Sequence, residues 1–363
     1  MYITRELRPV RVLLSRPDEL GPTELAAWQS MQRVSASLGN PFLSPEFALA
    51  VGRFRPAARV AVLYDGPSVV GFFPFERRRL GAGVPICGWP GTLCQGLVHA
   101  PGADWDPRDL LRGCQLSVWQ FDHLVAGQKP FERYQAGTAP SPVVDLSDGF
   151  ASYQARLAAR SRRFSRDIAR HARSLARDVG ELRVVADSRD VGLLGTLMAW
   201  KSEQYRRIAA IDRFERPWVV GLTDALHATR SAHFSGVLSA LYAGDQPVAA
   251  QFCLRSGGVL AGWFTAYDPR FAKYSPGLIQ FLRTAEELAA DGVHTIDLGE
   301  GAAPWKERLK SHDIVVGSGI VTGRSMLAAG HRVSRSTAER AAQALFHRPR
   351  LYHATRYLRS AVR

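Results

Sequence analysis

Several things are missing from this chain of 363 residues, and each absence excludes something. Its four cysteines (Cys87, Cys94, Cys114 and Cys253) have no paired spacing of the kind that holds a metal. They read as buried thiols of a reducing compartment rather than a disulfide framework, and no metal site is expected. No apolar run is long enough to span a bilayer, and Met1 to Arg16 contain no signal-peptide core, so a cytoplasmic location is expected. Acidic residues are few: 33 Asp and Glu stand against 47 Lys and Arg, a formal net charge of +14. That surplus suits acidic partners such as phosphates, nucleotides, nucleic acid or an anionic membrane face. An arginine-rich surface that is merely solvated would look the same.

What is present supports a globular protein. Hydrophobic residues make up 46% and aromatics 10% of the chain, and its length suits two domains of moderate size. The stretch from Gly236 to Lys310 organises the rest. Val237–Tyr242, Pro247–Leu254 and Val259–Tyr267 read as three antiparallel strands joined at Ala243-Gly-Asp-Gln246 and Ser256-Gly-Gly258. Ser275-Pro276-Gly277 then opens a helix, with Ser as N-cap and Pro at the first helical position. Leu278, Phe281, Leu282, Ala285 and Leu288 recur at helical spacing as far as Asp291-Gly292. A short strand, His294–Leu298, runs into Gly299-Glu-Gly301 and a second helix start at Pro304-Trp-Lys306.

The first half reads as a strand at Val10–Leu14, helices near Thr23–Leu38 and after Ser44-Pro45, and a strand pair turning on Asp65-Gly66-Pro67. A helix near Pro107 to Cys114 and a strand from Leu116 to Leu124 follow. Leu63-Tyr-Asp-Gly66 resembles Leu241-Tyr-Ala-Gly244 within a shared order of elements, which suggests two related domains. Pro140-Ser-Pro142 reads as the linker between them. One helix is expected from about Phe150 to Val179. On it Arg156, Arg160, Arg163, Arg166, Arg170, Arg173 and Arg177 share a face opposite Leu157, Phe164, Ile168 and Leu175. That face suits an anion, or is solvated. A helix from Leu193 to Arg207 carries Lys201 and Tyr205, and Ile211 to Trp218 reads as a mobile, substrate-facing loop. Asp313–Val321 offers two short strands. In the last forty residues Ser336 and Glu339 form a capping box, Pro349 breaks the helix, and arginine dominates. Such a tail suits the inner face of a membrane, a nucleotide second messenger or an acidic partner, or covers a sheet edge.

Tyr274-Ser-Pro-Gly277 opening a helix, Asp297-Leu-Gly-Glu-Gly301 ending a strand, and Trp305-Lys306 close behind resemble the BioF2-like/CelD-like acyltransferases. These are a branch of the GNAT superfamily related to the FemAB peptidyltransferases. The resemblance is carried by about Tyr153 to Val321, and Asn40-Pro-Phe-Leu-Ser-Pro-Glu-Phe47 is similar to the first domain of such tandem proteins. It implies an α/β (α+β) fold of tandem GNAT-like domains with mixed, largely antiparallel sheets flanked by helices. The division would be 1–140 (degenerate), 141–323 (catalytic) and 324–363 (helical tail).

In this family a Q/R-x-x-G-x-G/A loop at a helix N-terminus holds the pyrophosphate of acyl-CoA. The matching residues are Tyr274, Ser275, Gly277 and Leu278, where only one Gly remains and Pro276 removes a donor. An ordinary helix cap accounts for the same residues. The resemblance further implies that backbone N–H groups near Phe264, Thr265 and Tyr267 polarise the acyl carbonyl. Glu300 would be the base, with Asp297 and Asp268 as alternatives, and Tyr267 or Tyr274 would protonate the leaving group. Lys306 would neutralise phosphate or oxyanion. Gln251, Trp263, Lys201, Tyr205 and Trp305 would line the acceptor side, although a core amide at Gln251 and simple packing at Trp305 fit equally.

The expected activity is acetyl- or acyl-CoA-dependent N-acyl transfer to a sugar or nucleotide-linked precursor of an exopolysaccharide or cell envelope. Fem-like transfer from aminoacyl-tRNA is an alternative, although the long helical-hairpin insertion of many Fem-like proteins is missing. A non-catalytic protein that binds an anionic ligand or membrane is another.

Overall fold

The computed structural model describes residues 10–88, 91–301 and 303–323, and the expected C-terminal helix pair lies outside them. Proline at the first helical position, where its missing N–H costs nothing, starts most of the helices. Strand β1 (Arg11–Ser15) precedes α1 (Pro22–Val34) and α2 (Pro45–Phe54), the latter capped by the Ser44 hydroxyl accepting from the Phe47 N–H at 3.1 Å. The expected hairpin follows as β2 (Ala58–Asp65) and β3 (Ser68–Arg77). Then come β4 (Ala82–Pro85), β5 (Val98–His99), α3 (Pro107–Gly113), β6 (Val118–Leu124) and α4 (Lys129–Glu132).

Next, β7 (Gln135–Asp145) runs straight through Pro140-Ser-Pro142, so the expected linker is part of a continuous strand. Proline's fixed φ suits extended backbone wherever its missing donor is not needed. Pro142 still supplies an acceptor, for the Leu298 N–H at 2.9 Å.

The single helix expected over 150–179 is two, α5 (Phe150–Arg160) and α6 (Arg162–Asp178). Ser161 parts them. It leaves helical geometry at φ −154° and caps α6 by accepting from the Phe164 N–H, the local competition for which serine is suited. After β8 (Leu182–Val185) and α7 (Val191–Arg207), the expected mobile loop is instead a 3-10 turn over Arg213–Glu215 leading into α8 (Pro217–Ala228). Asp212 caps that turn through the Phe214 N–H.

The strands β9 (Ser235–Ala243), β10 (Gln246–Ser256) and β11 (Val259–Tyr267), then α9 (Pro276–Ala290), β12 (Thr295–Asp297) and α10 (Pro304–Leu309), match the reading of Gly236–Lys310. The last element, β13 (His312–Thr322), is one strand where two were expected. It absorbs its glycines in a bulge between Gly317 and Gly319.

Residues 10–39, 43–138 and 316–323 form one compact unit, and residues 40–42 and 139–315 the other. The first unit orders its strands β1-β2-β3-β4-β6-β13, all antiparallel except the β4–β6 pair. Its core is aromatic: Phe73, Phe75, Trp119, Phe121 and Phe131 are buried together. The second unit orders its strands β7-β12-β11-β10-β9-β8. In its core Leu157, Phe164, Ile168 and Leu175 of α5 and α6 meet Ile279, Phe281 and Leu288 of α9 over Leu241 and Leu260. Each such side chain contributes about 2 kcal/mol of burial. Helix α7 packs on β10 and β11, and α8 on β9.

Candidate active site

The site begins where the second sheet comes apart. Parallel pairing of β11 with β12 lasts three residues, ending at Ala261 opposite Asp297. From Trp263 to Tyr267, β11 keeps β10 as its strand partner but leaves β12. Backbone carbonyls on this stretch need other donors, because an unpaired buried carbonyl costs about as much as a lost hydrogen bond. Two cations supply them. Lys201 of α7 donates from Nζ to the Thr265 carbonyl at 3.1 Å and to Gln204 Oε1 at 2.9 Å. Arg213, 9% exposed, donates from Nη2 to the Trp263 carbonyl at 3.4 Å and from Nε to the Tyr205 hydroxyl at 3.0 Å. Burial first, and then the positive charges of Arg213 and Lys306, lower the Lys201 pKa to about 8.

The loop after β12 is the other wall. Asp297 is buried and fully engaged: Oδ1 accepts from the Gly299 N–H at 2.8 Å and the Ser141 hydroxyl at 3.2 Å, and Oδ2 accepts from Asn40 Nδ2 at 2.8 Å. Its bonds make it the anchor of the strand end. Gly299 and Gly301 take φ of 76° and 112°, which side chains rarely adopt, and Glu300 is presented between them. Lys306 of α10 reaches back to donate to the Gly299 carbonyl at 2.9 Å and the Glu300 carbonyl at 3.1 Å. Burial lowers the Lys306 pKa, while Asp297 and Glu300 work against that shift.

At the end of β11, Tyr267 is 38% exposed, and its ring stands 3.8 Å from where a Cβ on Gly277 would be. The helix start differs in detail from the reading. Ser275 occupies the cap position in left-handed geometry (φ 53°) and makes no side-chain cap bond; its carbonyl accepts from the Leu278 and Ile279 N–H groups. Gly277 is left as the N–H of the first turn directed out of the helix, at the positive end of a fifteen-residue dipole. One donor, a helix dipole, space beside a flat ring and an open strand edge fit acyl-CoA, with fewer donors than a glycine-rich loop would offer its phosphates. Ser275, Gly277 and Tyr267 would face its phosphates, and the Thr265 stretch its pantetheine arm.

Other expected residues turn elsewhere. Tyr274 is buried, and its hydroxyl donates to Asp178 Oδ2 at 2.8 Å. Trp263 packs against Phe42 and Phe252, and Phe264 against Phe214 and Phe252, so these two offer backbone rather than side chain. Gln251 is buried between Ser239 and Thr265 in strand register. Leu278 and Trp305 lie half-buried against the core. Asp268 caps its own turn and pairs with Arg270 at 2.6 Å, which holds its carboxyl below the usual range. On α5, Arg156 and Arg160 bond backbone carbonyls of Asp145, Arg308 and Lys310, so the free-standing arginine face is that of α6 alone. Arg213 was missed by the sequence reading. The signal available was an arginine flanked by aromatics in Arg213-Phe-Glu-Arg-Pro-Trp218.

Residues 162–307 match the model of the acetyltransferase (GNAT) domain family. No curated protein matches the chain by sequence. Among solved structures, the C-terminal domain of a putative lysylphosphatidylglycerol synthetase from Agrobacterium fabrum aligns with 86% of this chain and 96% of its own, at 11% identity and TM-score 0.50. FemX (11% identity, 72% and 87% covered, TM-score 0.48) and a tandem GNAT protein of the clavulanic acid pathway (12%, 87% and 99%, 0.47) also resemble it. The matched segment runs from α6 into α10 and holds Lys201, Arg213, Tyr267, Gly277, Glu300 and Lys306, so the likeness to the acetyltransferase (GNAT) domain lies in the second unit.

Proposed function

We propose that the protein transfers an acyl group from acyl-CoA to an amino group of a sugar or nucleotide-linked precursor in exopolysaccharide or cell-envelope synthesis. The observation that carries this reading is the parting of β11 from β12, with Tyr267 and Gly277 on one wall and the Glu300–Lys306 loop on the other. Acyl-CoA bound along β11 would supply the activated acyl carbon. Glu300, raised on its two glycines, takes the proton from the attacking amine. Lys306 places positive charge where the carbonyl oxygen becomes negative, and Tyr267, whose ring borders Gly277, returns a proton to the leaving group. Asp297 holds the loop in place.

The test combines binding and turnover. Acetyl-CoA at sub-millimolar concentration should raise the melting temperature. Glu300→Gln and Lys306→Ala should each reduce turnover by at least about a hundredfold while folding normally. Full activity in both variants would misplace the site.

One observation favours a second reading. The exposed face of α6 carries Arg163, Arg166, Arg170 and Arg173 around a single acid, Asp167, and so suits a polyanion such as the RNA of an aminoacyl-tRNA donor. Filter binding to tRNA with a steep salt slope, and no response to acyl-CoA, would select it.

A further inference from the structure

Among the described residues only eight large hydrophobic side chains are exposed. Two of them, Ile208 at 63% and Ile211 at 37%, stand within four residues of each other in the loop from α7 to the 3-10 turn. A single exposed isoleucine needs no explanation, but this pair is held out by the backbone. The N–H groups of Ile208, Ala209 and Ala210 donate back to the carbonyls of Gln204 (3.3 Å), Arg206 (3.2 Å) and Tyr205 (2.9 Å). Arg213 closes the base of the loop on the Tyr205 hydroxyl at 3.0 Å, and Asp212 accepts from the Phe214 N–H at 2.9 Å. Ala209, at the tip, takes φ 51°, left-handed backbone that alanine rarely adopts. The loop is therefore fixed, under strain, in a form that keeps both isoleucines at the surface, where polar residues would serve a mere connection better. Its flank is cationic. Arg206 and Arg207 end α7 fully exposed, and their guanidinium groups bond no described residue. Glu203, one turn back, pairs with neither.

We propose that this loop seats the protein on an anionic lipid surface, Ile208 and Ile211 entering the headgroup region while Arg206 and Arg207 meet lipid phosphates. The net charge of +14 favours the same partner. Patch size speaks against a protein: a stable protein interface takes roughly 800 Å² from each side, of which two isoleucines supply a small part. A bilayer accepts a narrow apolar tip with a basic collar. A nucleic acid would engage the arginines and leave the isoleucines in water. Tyr205 and Arg213, which close the loop, also border the open stretch of β11, where Arg213 donates to the Trp263 carbonyl. Docking by this loop thus brings the rim of the candidate site to the lipid surface, whatever reaction the site performs.

All four cysteines are buried, so the full chain carrying Ile208→Cys can be labelled at that position with an environment-sensitive maleimide dye. Vesicles of phosphatidylcholine and phosphatidylglycerol in equal parts should shift its emission to the blue, and spin-labelled lipid in them should quench it; vesicles of phosphatidylcholine alone should do neither. In co-sedimentation with the mixed vesicles, Ile208→Ser/Ile211→Ser should bind at least about tenfold more weakly than the unaltered chain. Its melting temperature should stay in place, so that the loss reports the surface rather than folding. Arg166→Ser/Arg170→Ser/Arg173→Ser, which leaves the loop intact, should bind as the unaltered chain does. No binding to the mixed vesicles, no response of the dye, or binding weakened in the α6 variant and unchanged in the loop variant overturns the proposal. Vesicle binding without any response to acetyl-CoA would instead remove the acyl-transfer reading and leave the docking surface standing.

Discussion

The two units share a frame and fill it differently. Each lays a strand beside a hairpin, β1 on β2 in one and β8 on β9 in the other. Each hairpin turns on a left-handed glycine, Gly66 at φ 57° and Gly244 at φ 56°. A side-chain contact recurs as well: Arg11 lies 4.9 Å from the Tyr64 ring and Arg183 lies 4.5 Å from the Tyr242 ring, each pair directly opposed in register. Short parallel pairings follow in both, β4 with β6 and β11 with β12. The strand after β6 pairs with β12, and the strand after β12 pairs with β6, so each half of the sequence completes the other's sheet. Beyond the parallel pairing the likeness stops. The first unit packs Trp119 among Phe73, Phe121 and Phe131 at ring separations of 4.8 to 5.2 Å. The second gathers Lys201, Arg213 and Lys306. Apolar filling stabilises a unit, whereas buried cations cost stability unless their partners offset the desolvation.

Four substitutions press on that contrast. The largest effect belongs to the aromatic filling: Trp119→Ala should cost about 4 kcal/mol of stability, read from urea unfolding, while folded protein retains acetyl-CoA binding. A loss of binding in protein shown to be folded would mean that the first unit is more than support.

The cation cluster should show the opposite economy in its pH dependence. Lys201 has a folded-state pKa of about 8 against an ordinary 10.5. Between those values the unfolded chain binds more protons, so stability should rise with pH across that window, by something on the order of 2 kcal/mol in buffer free of phosphate and carboxylate. Lys201→Met should flatten the rise. An unchanged slope in that variant would show that Lys201 is not the group under strain.

Smallest are the matched cation–π pairs. Arg11→Ala and Arg183→Ala should each destabilise by about 0.5 kcal/mol, by similar amounts in chemical denaturation. Widely different values would undercut the equivalence of the two hairpins.

Much of the fold was legible because its signals are local. Hairpins announce themselves through Gly66 and Gly244, helices through Pro45, Pro107, Pro276 and Pro304, and the order of elements over Gly236–Lys310 follows from such turns and helix starts together with periodicity. The misreadings arose where a local signal has two outcomes. Pro140 and Pro142 break a helix but fit a strand, Ser161 sits as readily between two helices as within one, and a glycine pair bends β13 without ending it.

By itself, then, the sequence determined the tandem frame, the helix start at Pro276 and the glycine-flanked Glu300, since each depends on backbone preferences written within a few residues. Only the tertiary structure decided that Arg213 and Lys201 both cap carbonyls of β11, that Tyr274 turns to Asp178, and that the charge of Lys306 reaches Lys201 across a hundred residues of chain. Charges interact through space rather than along the sequence. Where a chain gathers like charges is therefore settled by which strands pair and where they part.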